Sequence, residues 1–295
     1  MLACFVQTEN CTMPMAVTIT SPVRPAPISL PAQLERGEDG IWYAREREPV
    51  SYLEEGNAVC FELEEKSFWF QHRADCLTSV VRRFPPSGAI FDIGGGNGFV
   101  SRSLIDAGFE AVLVEPGEAG ARNAAKRGIK TVICATLSTA KFAAGSLPAA
   151  GIFDVLEHIE DSAGFLGEIE RCLAPKGRLY ITVPAFPWLW SDDDVAAGHY
   201  RRYTLPTLCR EVEAAGFTPL YSTYLFAPLP VPLFALRCIP SLFGKRTLPR
   251  KTYSGLHRQR ARWLTDRIWA AERRRIDAGR TIPLGSSCLL VAEKR

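Results

Sequence analysis

No two of the nine cysteines (Cys4, Cys11, Cys60, Cys76, Cys134, Cys172, Cys209, Cys238, Cys288) are spaced as C-x-x-C, and no histidine stands at an obvious ligand spacing from one. This argues against a structural zinc site or a disulfide framework, and for reduced thiols in a cytoplasmic protein. Strong net charge is also lacking: +3 overall is too mild to argue for nucleic acid. There is no internal repeat. The N-terminus has no basic n-region, and its apolar runs are broken by Gln7, Glu9 and Asn10, unlike a signal peptide. The longest apolar stretch, residues 224–243, contains Arg237 and four prolines, so it is a poor transmembrane helix.

What is present suffices for a core. Of 295 residues, 47% are apolar, enough for one large domain with additions. The first 40 residues are rich in Pro, Ser and Thr without apolar period, so residues 1–48 are expected to form a disordered tail. Charge is uneven. Residues 245–280 carry 12 basic and 3 acidic side chains, whereas residues 1–244 carry 21 and 28. Any anionic partner would be met near the C-terminus.

From residue 50 to Phe84 apolar residues recur at three and four, predicting helix, until Pro85-Pro86-Ser87-Gly88 stops it. Apolar strands are then expected at 89–93, 110–116, 130–137, from 149 within 149–159, 178–185, 218–226 and 286–295, with helices after the first, second, fourth and fifth. Thr204 and Pro206 mark a helix start. Such alternation predicts an α/β, doubly wound parallel sheet, with ligands at the strands' C-terminal edge.

The stretch FDIGGGNG (91–98) packs four glycines into five positions after the first of these strands. A dinucleotide fingerprint counted from Gly94 wants a small residue where Phe99 stands, and Asp92 would face an incoming phosphate unfavourably. A ligand with cationic groups and no phosphate suits Asp92 better. S-adenosylmethionine carries a sulfonium and an ammonium, and the bare backbone of Gly94, Gly96 and Gly98 would let it lie close. Glu115, ending the second strand, can accept both ribose hydroxyls of either cofactor. A nicotinamide-dependent oxidoreductase and a non-catalytic cofactor-binding protein stand as alternatives.

These residues resemble a class I S-adenosylmethionine-dependent methyltransferase, of the broad group that includes the ubiquinone-type O-methyltransferases. FDIGGGNG is similar to that family's first motif, VLVEP to its acidic second strand, FDVLEHIED (153–161) to its stretch after strand four, and LAPKGRLYITVPA to the segment leading into strand five. GHYRRYTLPTLCREVEAAGF is similar to the stretch before strand six. Two departures stand out: ATLSTAKF after strand three has no carboxylate for the adenine, and Leu147-Pro148 replaces the usual opening of strand four. The resemblance implies a seven-stranded Rossmann-like sheet, with the last strand antiparallel and inserted between strands five and six. On that frame residues 49–226 and 286–295 form the methyltransferase domain, and 227–285 a helical insertion between strands six and seven.

Methyl transfer from a sulfonium needs collinear nucleophile, carbon and sulfur in a site with little water. No metal is required. The expected cofactor set is Asp92, Gly94, Gly96, Asn97, Gly98 and Glu115, with Asp154 after strand four and Arg73 on the helix before strand one. Asp154 has a helix N-cap as its alternative. Trp69 can cover the ligand or simply pack. His158 and His199 are the candidate catalytic bases, against simple hydrogen bonding within their turns. Arg201 and Arg202 can hold an anionic acceptor or pair with Asp192–Asp194; Phe186, Trp188 and Trp190 can line an apolar acceptor site or join the core. The resemblance implies transfer to an oxygen, or else a nitrogen, of a small or lipid-linked acceptor. Residues 224–280 would act as a lid packed on the domain, or as a peripheral contact with an anionic membrane surface.

Overall fold

The computed structural model describes residues 28, 30–46, 48, 61–242 and 262–295. The helical expectation for residues 50–60, most of the expected tail and the basic stretch 243–261 lie outside them.

The strands of the sheet are β1 (Glu35–Arg36), β2 (Trp42–Tyr43), β3 (Ile90–Ile93), β4 (Ala111–Val114), β5 (Val132–Cys134), β6 (Leu147–Phe153), β7 (Leu173–Pro184), β8 (Phe217–Leu225) and β9 (Ser287–Lys294). Their order is β1-β2-β5-β4-β3-β6-β7-β9-β8. From β5 to β7 neighbours run parallel, and β9 is antiparallel to both β7 and β8. All seven expected strands are present, with the last slotted where the resemblance put it. Pro148 leaves its mark as a register irregularity between Leu147 and Ala149.

Side chains alternate across β3, so Phe91 and Ile93 enter one core and Ile90 the other. The first core is closed by α4 (Ser162–Cys172) and α5 (Leu205–Ala214), through Leu166, Ile169, Leu208 and Val212. The second is closed by α1 (Phe68–Arg83) and α2 (Phe99–Asp106), through Leu77, Val80 and Leu104. Thr204 caps α5 by accepting from the Thr207 amide, with Pro206 in the first turn, as read from the sequence.

Two expectations need correction. The chain from residue 30 is not a disordered tail up to 48: β1 and β2 form a hairpin that extends the sheet beside β5. A local turn makes it. Asp39 accepts from the Ile41 amide at 3.1 Å and the Tyr43 hydroxyl at 2.8 Å, Gly40 takes the left-handed conformation (φ 81°), and Ile41 is buried against Ala121 and Ala124. The Pro- and Ser-rich average around it hides this short apolar stretch. The helix before β3 is likewise interrupted, because Ser67 accepts from the Trp69 amide and starts α1 afresh.

The insertion is helical where described. A helical run covers 230–242, with a π-type stretch at Phe234–Cys238. Its C-terminal helix Arg262–Asp277 packs on α1: Trp269 stacks on Phe68 at 5.6 Å and Ile276 is buried in the second core. No described helix is long and apolar enough to cross a membrane.

Candidate active site

The C-terminal ends of β3, β4, β6 and β7 share one edge of the sheet, and each is followed by residues singled out above. After β3, Gly94, Gly96 and Gly98 all have positive φ. Their bareness serves two purposes. A Cβ on Gly98 would sit 2.4 Å from Ile129 and 2.9 Å from Ala124, so that glycine lets α2 approach its neighbour, α3 (Glu118–Lys126). A Cβ on Gly96 would meet nothing within 4 Å. Gly96 therefore presents bare, left-handed backbone to open space, as a ledge for a ligand does.

Carboxylates surround this ledge. Glu115, just past β4, accepts from the amides of Gly96 and Gly117, both at 2.8 Å, and is thereby fixed against the loop. Asp92 is buried. One of its oxygens accepts from Ser101 Oγ at 2.6 Å and the other has no partner in the structure. Burial pushes its carboxyl up to about 6, against the pull of Ser101 and Arg73. Asn97, the next residue of the loop, is bonded on its side chain to neighbouring elements. Its amide donates to Glu64 and accepts from Asn123, and Arg127 ties Glu64 to the Asn97 carbonyl. Asn97 thus fastens the loop to its surroundings.

Asp154, just past β6, has φ 58°, a left-handed conformation disfavoured for a residue with a side chain. It caps no helix; its side chain pairs with Arg73. Arg73 is buried over the ring of Trp69 at 4.6 Å, and burial lowers it to about 10 despite Glu64, Asp92 and Glu157 nearby. Trp69 itself stacks on Phe226 at 5.4 Å, so packing accounts for it. One Asp154 oxygen and the Arg73 Nε have no hydrogen-bond partner.

The turn after β6 brings Glu157 and His158 opposite the loop after β7. The rings of His158 and His199 meet edge to face with centroids 4.7 Å apart. Burial and then His199 push His158 down to about 4. His199 Nδ1 is 2.9 Å from Asp194 Oδ1, which also accepts from Arg202 Nε at 2.7 Å. Burial alone would raise Asp194, but these two bonds hold it below the ordinary carboxylate value. Glu157 is the residue that sequence reasoning passed over. It is 1% exposed, and burial pushes it up to about 8. Its place between Leu156 and His158 is the available signal, in a turn where the histidine is the more obvious chemical group.

The two arginines do not form an anion clamp. Arg202 bonds Asp194 and the Ala185 carbonyl; Arg201 bonds Ser162 and the Glu160 carbonyl. Beyond β7 the aromatic residues form a partly exposed wall. Phe186 stacks on Tyr224 at 4.8 Å and on Trp188 at 5.4 Å, and Trp188 meets Phe234 at 5.7 Å. The run 230–242 is tied there by Arg237–Asp193 at 3.3 Å and by Ser241, which accepts from the Asp192 amide. After β5, where no carboxylate was found in sequence, Glu48 supplies one from afar by accepting from Thr136 at 2.8 Å and Ser138 at 2.6 Å. The spacing of His72 and Cys76, one helical turn apart, also went unnoticed: both meet Glu272, with His72 Nε2 2.9 Å from its carboxylate.

A family model described as a methyltransferase domain matches residues 68–222, more than half of the chain, and the chain belongs to that family. No curated protein matches it. Solved structures share its fold. A SAM-dependent methyltransferase of Thermotoga maritima, given as a possible histamine N-methyltransferase, is 19% identical over 81% of this chain and 97% of its own, with TM-score 0.51. A methyltransferase solved with the Haloferax volcanii Trm112 methyltransferase activator is 16% identical over 81% and 95%, with TM-score 0.53. A phosphoethanolamine N-methyltransferase of Haemonchus contortus is 19% identical over 77% of this chain, with TM-score 0.48; the match spans about half (52%) of that longer protein.

The chain is thus a class I S-adenosylmethionine-dependent methyltransferase domain, and the nicotinamide alternative is set aside. The residues fit the cofactor: an open Gly96 ledge, a buried Asp92 with an unmet oxygen for cationic groups, and Glu115 at the end of β4 for ribose hydroxyls.

Proposed function

We propose that this methyltransferase acts on a hydroxyl of a small-molecule or lipid-linked acceptor with an apolar body. S-adenosylmethionine supplies the methyl group when bound. The residues after β3 and β4 hold it, and the residues after β6 and β7 receive the acceptor. The observation that carries this reading is the His158–His199 pair, oriented by Asp194, at the same sheet edge from which the Phe186–Trp188–Phe234 wall follows β7. A carboxylate-oriented imidazole suits an acceptor that must lose a proton, as a hydroxyl must and a neutral amine need not before attack. The wall favours an apolar body over a compact polar one. Val231 and Leu236 on the neighbouring run are exposed, and they favour an acceptor whose tail extends past the pocket, including one presented at a membrane surface.

The test is incubation of the protein with deuteromethyl-labelled cofactor and fractionated metabolite and lipid extracts, read by mass spectrometry. A labelled, apolar, O-methylated product is expected. Label confined to amines or to polar metabolites would overturn the acceptor class. No label from any extract, with the cofactor tightly bound, would favour a non-catalytic cofactor-binding protein.

A further inference from the structure

Ligand atoms of Glu157, His158 and His199 all lie within 4.8 Å of one another. Two imidazoles and one carboxylate, drawn from two separate loops at the ligand edge, form a donor set unlike a solvated acidic cluster. Glu157 is almost wholly buried, yet its Oε2 has no hydrogen-bond partner. A buried carboxylate oxygen left unmet is expensive unless something fills the place. The arginines near it are paired elsewhere, Arg73 to Asp154 and Arg202 to Asp194, and among the described residues Glu157 makes no ion pair of its own.

The surroundings also orient the donors. Asp194 accepts from His199 Nδ1, which leaves Nε2 as the acceptor nitrogen. The Gly198 backbone hydrogen-bonds the His158 ring. The Tyr200 amide donates to the Glu157 carbonyl at 2.8 Å, and this strap holds the two loops at a fixed separation. Outer carboxylate and backbone partners of this kind accompany histidines that bind metals.

From this geometry we propose that Glu157, His158 and His199 bind a divalent cation of borderline hardness, of the Mn2+ or Zn2+ class, which takes the acceptor's oxygen at an open position. Mixed imidazole and carboxylate donors suit such ions better than Ca2+, which prefers six or more oxygens. The proposal rests on the methyltransferase reading and specifies how its acceptor is held. With the cation bound, the two imidazoles serve as its ligands rather than as the base, and the hydroxyl, acidified by the cation, gives its proton to water. Its oxygen then forms the O–CH3 bond as the S–CH3 bond breaks, and that electron pair returns to sulfur.

The experiment uses full-length protein freed of metal with a chelator. Mn2+ binding is read by electron paramagnetic resonance and Zn2+ binding by calorimetry, for wild type and for Glu157→Gln, His158→Gln and His199→Gln. S-adenosylhomocysteine binding is measured on every sample. One Mn2+ or Zn2+ per chain is expected, weakened about tenfold or more by each substitution, with S-adenosylhomocysteine affinity held within about twofold. Cys76→Ser is the internal comparison, since His72, Cys76 and Glu272 form a second, fully buried donor group. Zn2+ uptake that vanishes in Cys76→Ser but survives His199→Gln would overturn the proposal. So would the absence of Mn2+ and Zn2+ uptake by wild type that still binds S-adenosylhomocysteine, an outcome that leaves the methyltransferase reading intact. Should one variant lose S-adenosylhomocysteine binding through misfolding, the other two decide.

Discussion

The proposed cofactor half and the proposed acceptor half of this domain are built on opposite plans. The cofactor half is local. Within 24 residues, 92–115, it contains the glycine ledge, the acid behind it and the acid beyond, and backbone or short side chains fix each one: Ser101 on Asp92, two amides on Glu115. The acceptor half is assembled from residues 156–158, 186–203 and 230–242, joined by contacts such as Tyr200 to Glu157 and Arg237 to Asp193. It keeps large aromatics partly exposed, with Trp188 at 47%. A common cofactor needs one arrangement, whereas an acceptor site is set by whichever segments reach the edge.

That contrast predicts separable failures. The largest effect belongs to Gly96→Val. A β-branched side chain at φ 55° would both strain the loop and fill the ledge. Cofactor affinity should fall on the order of a hundredfold, about 2.7 kcal/mol, as read by calorimetry, with the fold retained by circular dichroism. A loss of similar size belongs to His199→Gln, but in turnover alone. The labelled-methyl rate should fall about a hundredfold, within the range for a positioned proton-handling group, while S-adenosylhomocysteine affinity stays unchanged. Equal losses of affinity and rate in either variant would break the division into halves.

Asp92 gives a subtler test. Its folded-state pKa of about 6 lies above the ordinary 3.8, so burial of the ionised form opposes folding. Its contribution to stability is full below about pH 4 and lost as pH rises through 6. Asp92→Asn should therefore flatten the pH dependence of the melting temperature between pH 4 and 7 and leave the unliganded protein at least as stable at pH 7. Wild type is expected to lose S-adenosylmethionine affinity as pH falls below 6, and the variant is expected not to. An unchanged affinity–pH profile in the variant would place that titration elsewhere. The smallest effect is expected from Leu236→Ser, at a residue 68% exposed. Stability should change by no more than about 0.5 kcal/mol, with cofactor affinity constant and only the KM for an apolar acceptor rising.

The sheet and the cofactor half were legible in the sequence because their signals are short-range. Apolar runs set β3 to β9, and Asp92, the glycines and Glu115 fall within one strand–loop–helix–strand frame. What escaped was long-range or locally ambiguous. Composition averaged over residues 1–48 concealed the Asp39–Gly40 turn and Ile41. Glu48 reaches Thr136 and Ser138 across some ninety positions. Glu157 looks like a polar turn residue until the fold buries it, and the meeting of His158 with His199 depends on how two loops cross the sheet edge. The His72–Cys76 spacing was readable, but only the distant Glu272 gives it meaning.

The account rests on the Gly96 ledge and the histidine pair acting on different partners. Calorimetric titration of S-adenosylhomocysteine into wild type, Gly96→Val and His199→Gln tests this directly. One-to-one uptake by wild type and His199→Gln, with loss in Gly96→Val, is predicted. No uptake by folded wild type, or the same uptake in all three, would contradict it.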